Sequence, residues 1–151
     1  MARTKFVAGN WKMNKDRAEA LALVSKLVGW SEELEGDVEV VIAPPYPFLE
    51  MAVQCTHGTR IKVAAQNCHQ KEQGAFTGEV SPLMLADLGC RYVLVGHSER
   101  RQFFGETDAT VKKKIGEPGT SPADADVVGV SWASGRGSSC MRRACRGMRS
   151  P

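Results

Sequence analysis

No apolar run in these 151 residues approaches the roughly 18 positions that a membrane-spanning helix needs. Arg3 and Lys5 precede an apolar stretch, but Gly9-Asn10 and Lys12 interrupt it, which is not the pattern of a secretory signal. Neither sign of charge dominates. Twenty Lys and Arg against 17 Asp and Glu leave +3, too weak a field to argue for a nucleic-acid or membrane-surface protein. The five cysteines (Cys55, Cys68, Cys90, Cys140 and Cys145) are odd in number, widely spaced and without a CxxC pair, which suits a reducing compartment. What is present is ordinary for a globular chain: 42% hydrophobic and 25% charged residues, which exclude disorder throughout, collagen and coiled coil. The expectation is one soluble, cytoplasmic domain.

The composition changes at Ile115/Gly116. Residues 1–115 mix Lys with Arg, whereas residues 116–151 contain five Arg, no Lys, and 15 Gly, Ser or Pro. Such a stretch buries too little apolar surface to offset its ordering entropy, so residues 116–151 are expected to be a disordered tail. Its one apolar island, Val127–Trp132, reads as a short strand.

Within residues 4–115 strand and helix patterns alternate. Four short runs rich in β-branched or aromatic residues, Lys5–Gly9, Val38–Ala43, Ile61–Gln66 and Tyr92–Gly96, lack strict alternation, as strands of parallel sheets do. Residues 15–28 read as a helix capped by Asn14, with Ala18, Leu21, Val24, Ser25 and Val28 on its buried face. Ser81-Pro82 and Gly89 bracket a second helix as N-cap, first-turn proline and terminating glycine. Thr107-Asp108 opens a third, with Val111 and Ile115 one turn apart. Four βα units result. They fit either a doubly wound sheet with Val127–Trp132 as its fifth strand, or the first half of a (β/α)8 barrel. In the second case the first and fourth strands would be open edges.

Three strand ends are polar where chemistry gathers in parallel folds. Gly9-Asn10-Trp11-Lys12-Met13-Asn14 follows the first strand, and alternation sends Asn10 and Lys12 to the same side, an amide and an ammonium for one anionic ligand. Gly96-His97-Ser98-Glu99-Arg100-Arg101 follows the fourth. A short helix starting there would hold the imidazole of His97 neutral, able to donate a hydrogen bond to a carbonyl. Gln66-Asn67 follows the third and leads to Gln73-Gly74-Ala75-Phe76-Thr77-Gly78-Glu79, a shaped, protruding loop suited to a partner contact. Cys55, His57, Cys68 and His69 have ligating side chains, but their spacing fits no common zinc pattern, and the cysteines read as small buried hydrophobes. Arg136, Arg142, Arg143, Arg146 and Arg149 lack interleaved aromatics and read as a solvated tail, not a nucleic-acid surface.

Phe6-Val7-Ala8-Gly9-Asn10-Trp11-Lys12-Met13-Asn14, Ala65-Gln66-Asn67, Gly74–Glu79, Val95–Arg101 and Phe104-Gly105-Glu106-Thr107-Asp108, in that order, closely resemble the triosephosphate isomerase family. The resemblance covers about residues 4–115. It implies the N-terminal half of a (β/α)8 barrel, a homodimer in the family, a small phosphorylated triose substrate, and no metal or cofactor. It also implies roles. Lys12 and His97 would be catalytic, Lys12 stabilising negative charge and His97 polarising the carbonyl and moving a proton between the two oxygens. Asn10 would bind substrate beside Lys12, and Glu99 and Ser98 would support them. Thr77 and Phe76 would meet a partner subunit, with Arg100 and Glu106 buttressing that interface.

The family's catalytic base lies in a Tyr-Glu-Pro-x-Trp context that has no counterpart here; Glu117-Pro118 copies only the dipeptide. The phosphate-gripping glycine loops are missing as well. The abrupt change at Gly116 suits a frameshifted or mis-spliced isomerase, and the 151-residue chain alone is expected to be inactive. The other reading is a non-catalytic remnant that docks on a full-length isomerase subunit.

Overall fold

The computed structural model describes residues 5–115, together with the backbone of 126–130 and 141–143. Strands β1 (Lys5–Asn10), β2 (Val38–Ala43), β3 (Ile61–Ala65) and β4 (Tyr92–Val95) are parallel and lie in sequence order. Helices α1 (Arg17–Glu32), α2 (Leu49–Thr56) and α3 (Pro82–Asp87) connect them, and α4 (Ser98–Phe103) and α5 (Asp108–Ile115) follow β4. Strand β5 (Asp126–Val130) adds in parallel to β4, and β6 (Met141–Arg143) pairs with it antiparallel. The island expected at Val127–Trp132 is thus β5, and β4 is not the open edge expected of it. Two short segments of the tail expected to be disordered are therefore strands, and the rest of 116–151 lies outside the described residues.

The helices decide between the two architectures. A doubly wound sheet carries helices on both faces and reverses its strand order. Here the order is sequential, and one face packs Val40, Ile42, Ile61, Val63, Val93 and Val95 against Val24, Leu49, Ala52, Leu85 and Val111 from the helices. Among the described residues the opposite face is made from strands alone: Val41, Ala43, Ala64, Tyr92 and Leu94, with Phe6 and Ala8 against them. Burial there comes from curvature. Phe6 on β1 meets Tyr92 on β4 edge-to-face with ring centroids 5.6 Å apart, whereas three flat inter-strand gaps would separate them by roughly 14 Å. The Tyr92 hydroxyl donates to Glu39 inside this concave face. A sheet rolled in this way is half of a barrel.

Helix α1 departs from its expected start and face. Its cap is Asp16, which accepts from the Glu19 amide while the Glu19 carboxylate accepts from the Asp16 amide. Asn14 instead donates to the Trp11 carbonyl and closes the preceding loop. The buried face runs through Ala20, Val24 and Ser31, with Leu27 and Val28 beside them, and Leu21 is exposed. Apolar residues lie all around this helix, so periodicity alone does not select the orientation. Helix α3 starts as expected: the Ser81 hydroxyl accepts from the Met84 amide, Pro82 sits in the first turn, and Gly89 takes φ +97°.

Candidate active site

The loop after β1 is held from two sides. Lys12 adopts φ +56°, a left-handed conformation costly for a residue with a Cβ. The Asn10 side-chain oxygen accepts from the Lys12 amide at 2.9 Å, and Gln66 Nε2 donates to the Lys12 carbonyl at 2.9 Å and to the Ala43 carbonyl at 2.8 Å. Side chains from the ends of β1 and β3 therefore set the direction in which the lysine leaves the sheet. Asn10 faces the same loop as Lys12, with its oxygen engaged in shaping it.

Curvature carries Lys12 to the far strand. Its Nζ lies 2.6 Å from Glu99 Oε1, and the second oxygen of that carboxylate is 3.6 Å from His97 Nδ1. Lysine, glutamate and histidine thus form one row across the mouth of the sheet. The hydrogen bond from Lys12 holds the Glu99 carboxyl below its ordinary value, with smaller help from the Lys12 charge against partial burial. His97 caps α4: its Nδ1 accepts from the Glu99 amide at 3.2 Å. An accepting Nδ1 bears no proton, which leaves Nε2–H as the donor. Ser98, half-buried, opens the helix behind it.

Beneath His97 lies a buried charged cluster. Glu106, 7% exposed, accepts from the Gly96 amide at 3.2 Å and pairs with Lys114, whose ammonium also donates to Asn67 Oδ1 at 2.7 Å. Arg100 Nε lies 3.7 Å from Glu106 Oε2, buried without a hydrogen-bond partner among the described residues, and its guanidinium sits 4.8 Å from the Phe104 ring centre. Arg100 and Glu106 stand behind the surface, while Thr77 and Phe76 are exposed in the loop, with Phe76 stacked on His69 at 4.2 Å. Sequence reasoning gave no role to Gln66, Arg101 or Lys114, although polar Gln66 at a strand end was a visible signal. Cys68 and Cys90 are core thiols whose burial pushes each to about 11. Among the described residues no helix is long and apolar enough to cross a membrane, and no three His, Cys, Asp or Glu side chains cluster as metal ligands do.

A curled parallel sheet with helices on its convex face, and with an ammonium, a carboxylate and an imidazole at the carboxyl ends of its strands, is half of a (β/α)8 barrel with its polar groups where such barrels keep their chemistry. The family model described as triosephosphate isomerase matches residues 5–118, and the chain belongs to that family. Among curated relatives, the triosephosphate isomerase of Acetivibrio thermocellus is 55% identical over 115 residues, covering 76% of this chain and 45% of the relative. That of Syntrophotalea carbinolica is 51% identical over 113 residues, covering 75% and 44%. The chain spans less than half the length of these relatives.

Proposed function

We propose that residues 5–115 supply one half of a triosephosphate isomerase site, for the interconversion of dihydroxyacetone phosphate and glyceraldehyde 3-phosphate in glycolysis and gluconeogenesis. The observation that carries this reading is the row Lys12–Glu99–His97, which joins the two outermost of the first four strands at the mouth of the rolled sheet. This enzyme is itself the standard worked example of a carboxylate base set against a neutral imidazole electrophile, and the roles follow that scheme. The Lys12 ammonium stabilises negative charge on the substrate and on the enediolate oxygens. His97 Nε2–H polarises the carbonyl and moves a proton between the two oxygens. Glu99 holds the lysine in place when no substrate is bound, and Asn10 shapes the loop that presents it.

The same reading makes the 151-residue chain inactive by itself. The base that removes the carbon-bound proton has no counterpart in the sequence, and a positioned base alone is worth roughly 10²–10⁴-fold. Loss of the grip on the non-reacting phosphate lowers the chemical rate further. A coupled assay of the purified chain is expected to show no turnover above background; turnover that Lys12→Met abolishes would overturn this. The composition change at Gly116 supports a frameshift as its origin. Resequencing gene and transcript across the codons of Ile115 and Gly116 is expected to reveal a one- or two-base correction that restores the missing glutamate.

A second reading rests on the exposed Phe76, 43% accessible in the protruding loop: a non-catalytic module that docks on an intact isomerase subunit. Pull-down with full-length enzyme tests it, and binding unaffected by changing Phe76 and Thr77 would remove the loop from it.

A further inference from the structure

The residue before His97 has both of its peptide groups held by side chains. Gly96 takes φ +70° under α5, where an added Cβ would lie 3.1 Å from Val111 and 3.3 Å from Arg101. Its amide donates to Glu106 at 3.2 Å, and its carbonyl accepts from Arg101 Nε at 3.0 Å. The same guanidinium reaches Asp108, the first residue of α5, at 2.7 Å. Arg101 also sits on the helix that His97 caps, its amide bonded to the His97 carbonyl at 3.1 Å.

We infer that Arg101 is a positioning residue for His97, fixing the Gly96 peptide so that the imidazole stays in the capping geometry that aims Nε2–H into the site. Glycine, lacking a Cβ, has wide φ and ψ freedom, so the peptide following it points where its carbonyl is held. Glu106 anchors the amide side, and Arg101 anchors the carbonyl side that leads directly into His97. A guanidinium tied at once to a carbonyl and to the start of α5 gives that carbonyl a fixed direction that water cannot supply. That the held imidazole acts on a substrate carbonyl rests on the function proposed above; the holding itself does not.

Hydrogen exchange of the ¹⁵N-labelled 151-residue chain separates the two. The Glu99 amide, bonded to His97 Nδ1, reports the imidazole, and the Gly96 amide reports the turn. In Arg101→Met both are expected to exchange roughly 10- to 100-fold faster, the range for losing a charge-assisted hydrogen bond, while the β2 and β3 amides of Ile42 and Val63 keep their rates. Uniform acceleration at all four would mean that Arg101 is a general structural residue, and an unchanged Glu99 amide would mean that it does not hold His97; either result overturns the inference. Should Arg101→Met fail to fold, Arg101→Lys, which keeps the charge but loses the fork, is read against the same four amides. Adding dihydroxyacetone phosphate and following the His97 ring signals tests the function reading separately, since the exchange pattern is expected whether or not the triose binds.

Discussion

Two loops carry this site, and they are held by different chemistry. After β1, the left-handed residue is Lys12 itself, and neutral amides of Asn10 and Gln66 grip its peptide groups near the surface. After β4, the left-handed residue is Gly96, one position before His97, and charged Glu106 and Arg101 grip it more deeply. The first loop accepts backbone strain at the residue that must reach outward. The second places the conformational burden on a glycine and adds buried charge. Neutral amide ties contribute modestly, whereas a buried ion loses heavily if its partner disappears.

That contrast can be broken most severely at Glu106. Glu106→Ala leaves the Lys114 ammonium and the Gly96 amide without their carboxylate, and should cost about 3–5 kcal/mol in urea unfolding; a loss below 1 kcal/mol would show that the cluster is hydrated and the contrast false. Next comes Gly96→Ala, expected to cost about 1–2 kcal/mol for the left-handed backbone, plus the push of the new methyl against Val111. Gln66→Ala should cost about 1 kcal/mol, because one amide serves two carbonyls. The circular dichroism of the core should be unchanged in that variant, since the loss is confined to the loop.

Glu99→Gln is expected to have the smallest effect. The Lys12–Glu99 pair is half-exposed, so solvent screening leaves a few tenths of a kcal/mol at most. Its signature is in the pH dependence. The carboxyl lies below its ordinary 4.5 in the folded chain, so its contribution is present above about 4.5 and fades as pH falls through the folded value. Unfolding curves of the parent and of Glu99→Gln should therefore differ at neutral pH and converge in acid. Convergence at neutral pH with divergence in acid would reverse the assignment.

Much of the architecture was legible because local rules act locally. Ser81-Pro82 and Gly89 bounded α3 through capping chemistry confined to a few residues. The four strand runs were readable from their apolar density: β2 has the expected ends, and β1, β3 and β4 each moved at one end by a single residue. The start of α1 was harder to read, since Asn14 and Asp16 both qualify as caps and only the reciprocal Glu19 contact distinguishes them. Its buried face was legible only at Val24 and Val28, because a helix apolar all around takes its orientation from what it packs against.

The sequence by itself determined the family, the order of the βα units, and the residue types waiting at the strand ends, since these follow from motif, period and turn chemistry along the chain. Only the tertiary structure decided that the helices share one face, that the sheet rolls until Phe6 touches Tyr92, and that Lys12, 87 positions from Glu99, comes to lie against it. It also assigned Gln66, Arg101 and Lys114 their partners. Contacts across the sheet depend on strand twist and curvature summed over several strands, a property that no single stretch of the chain contains.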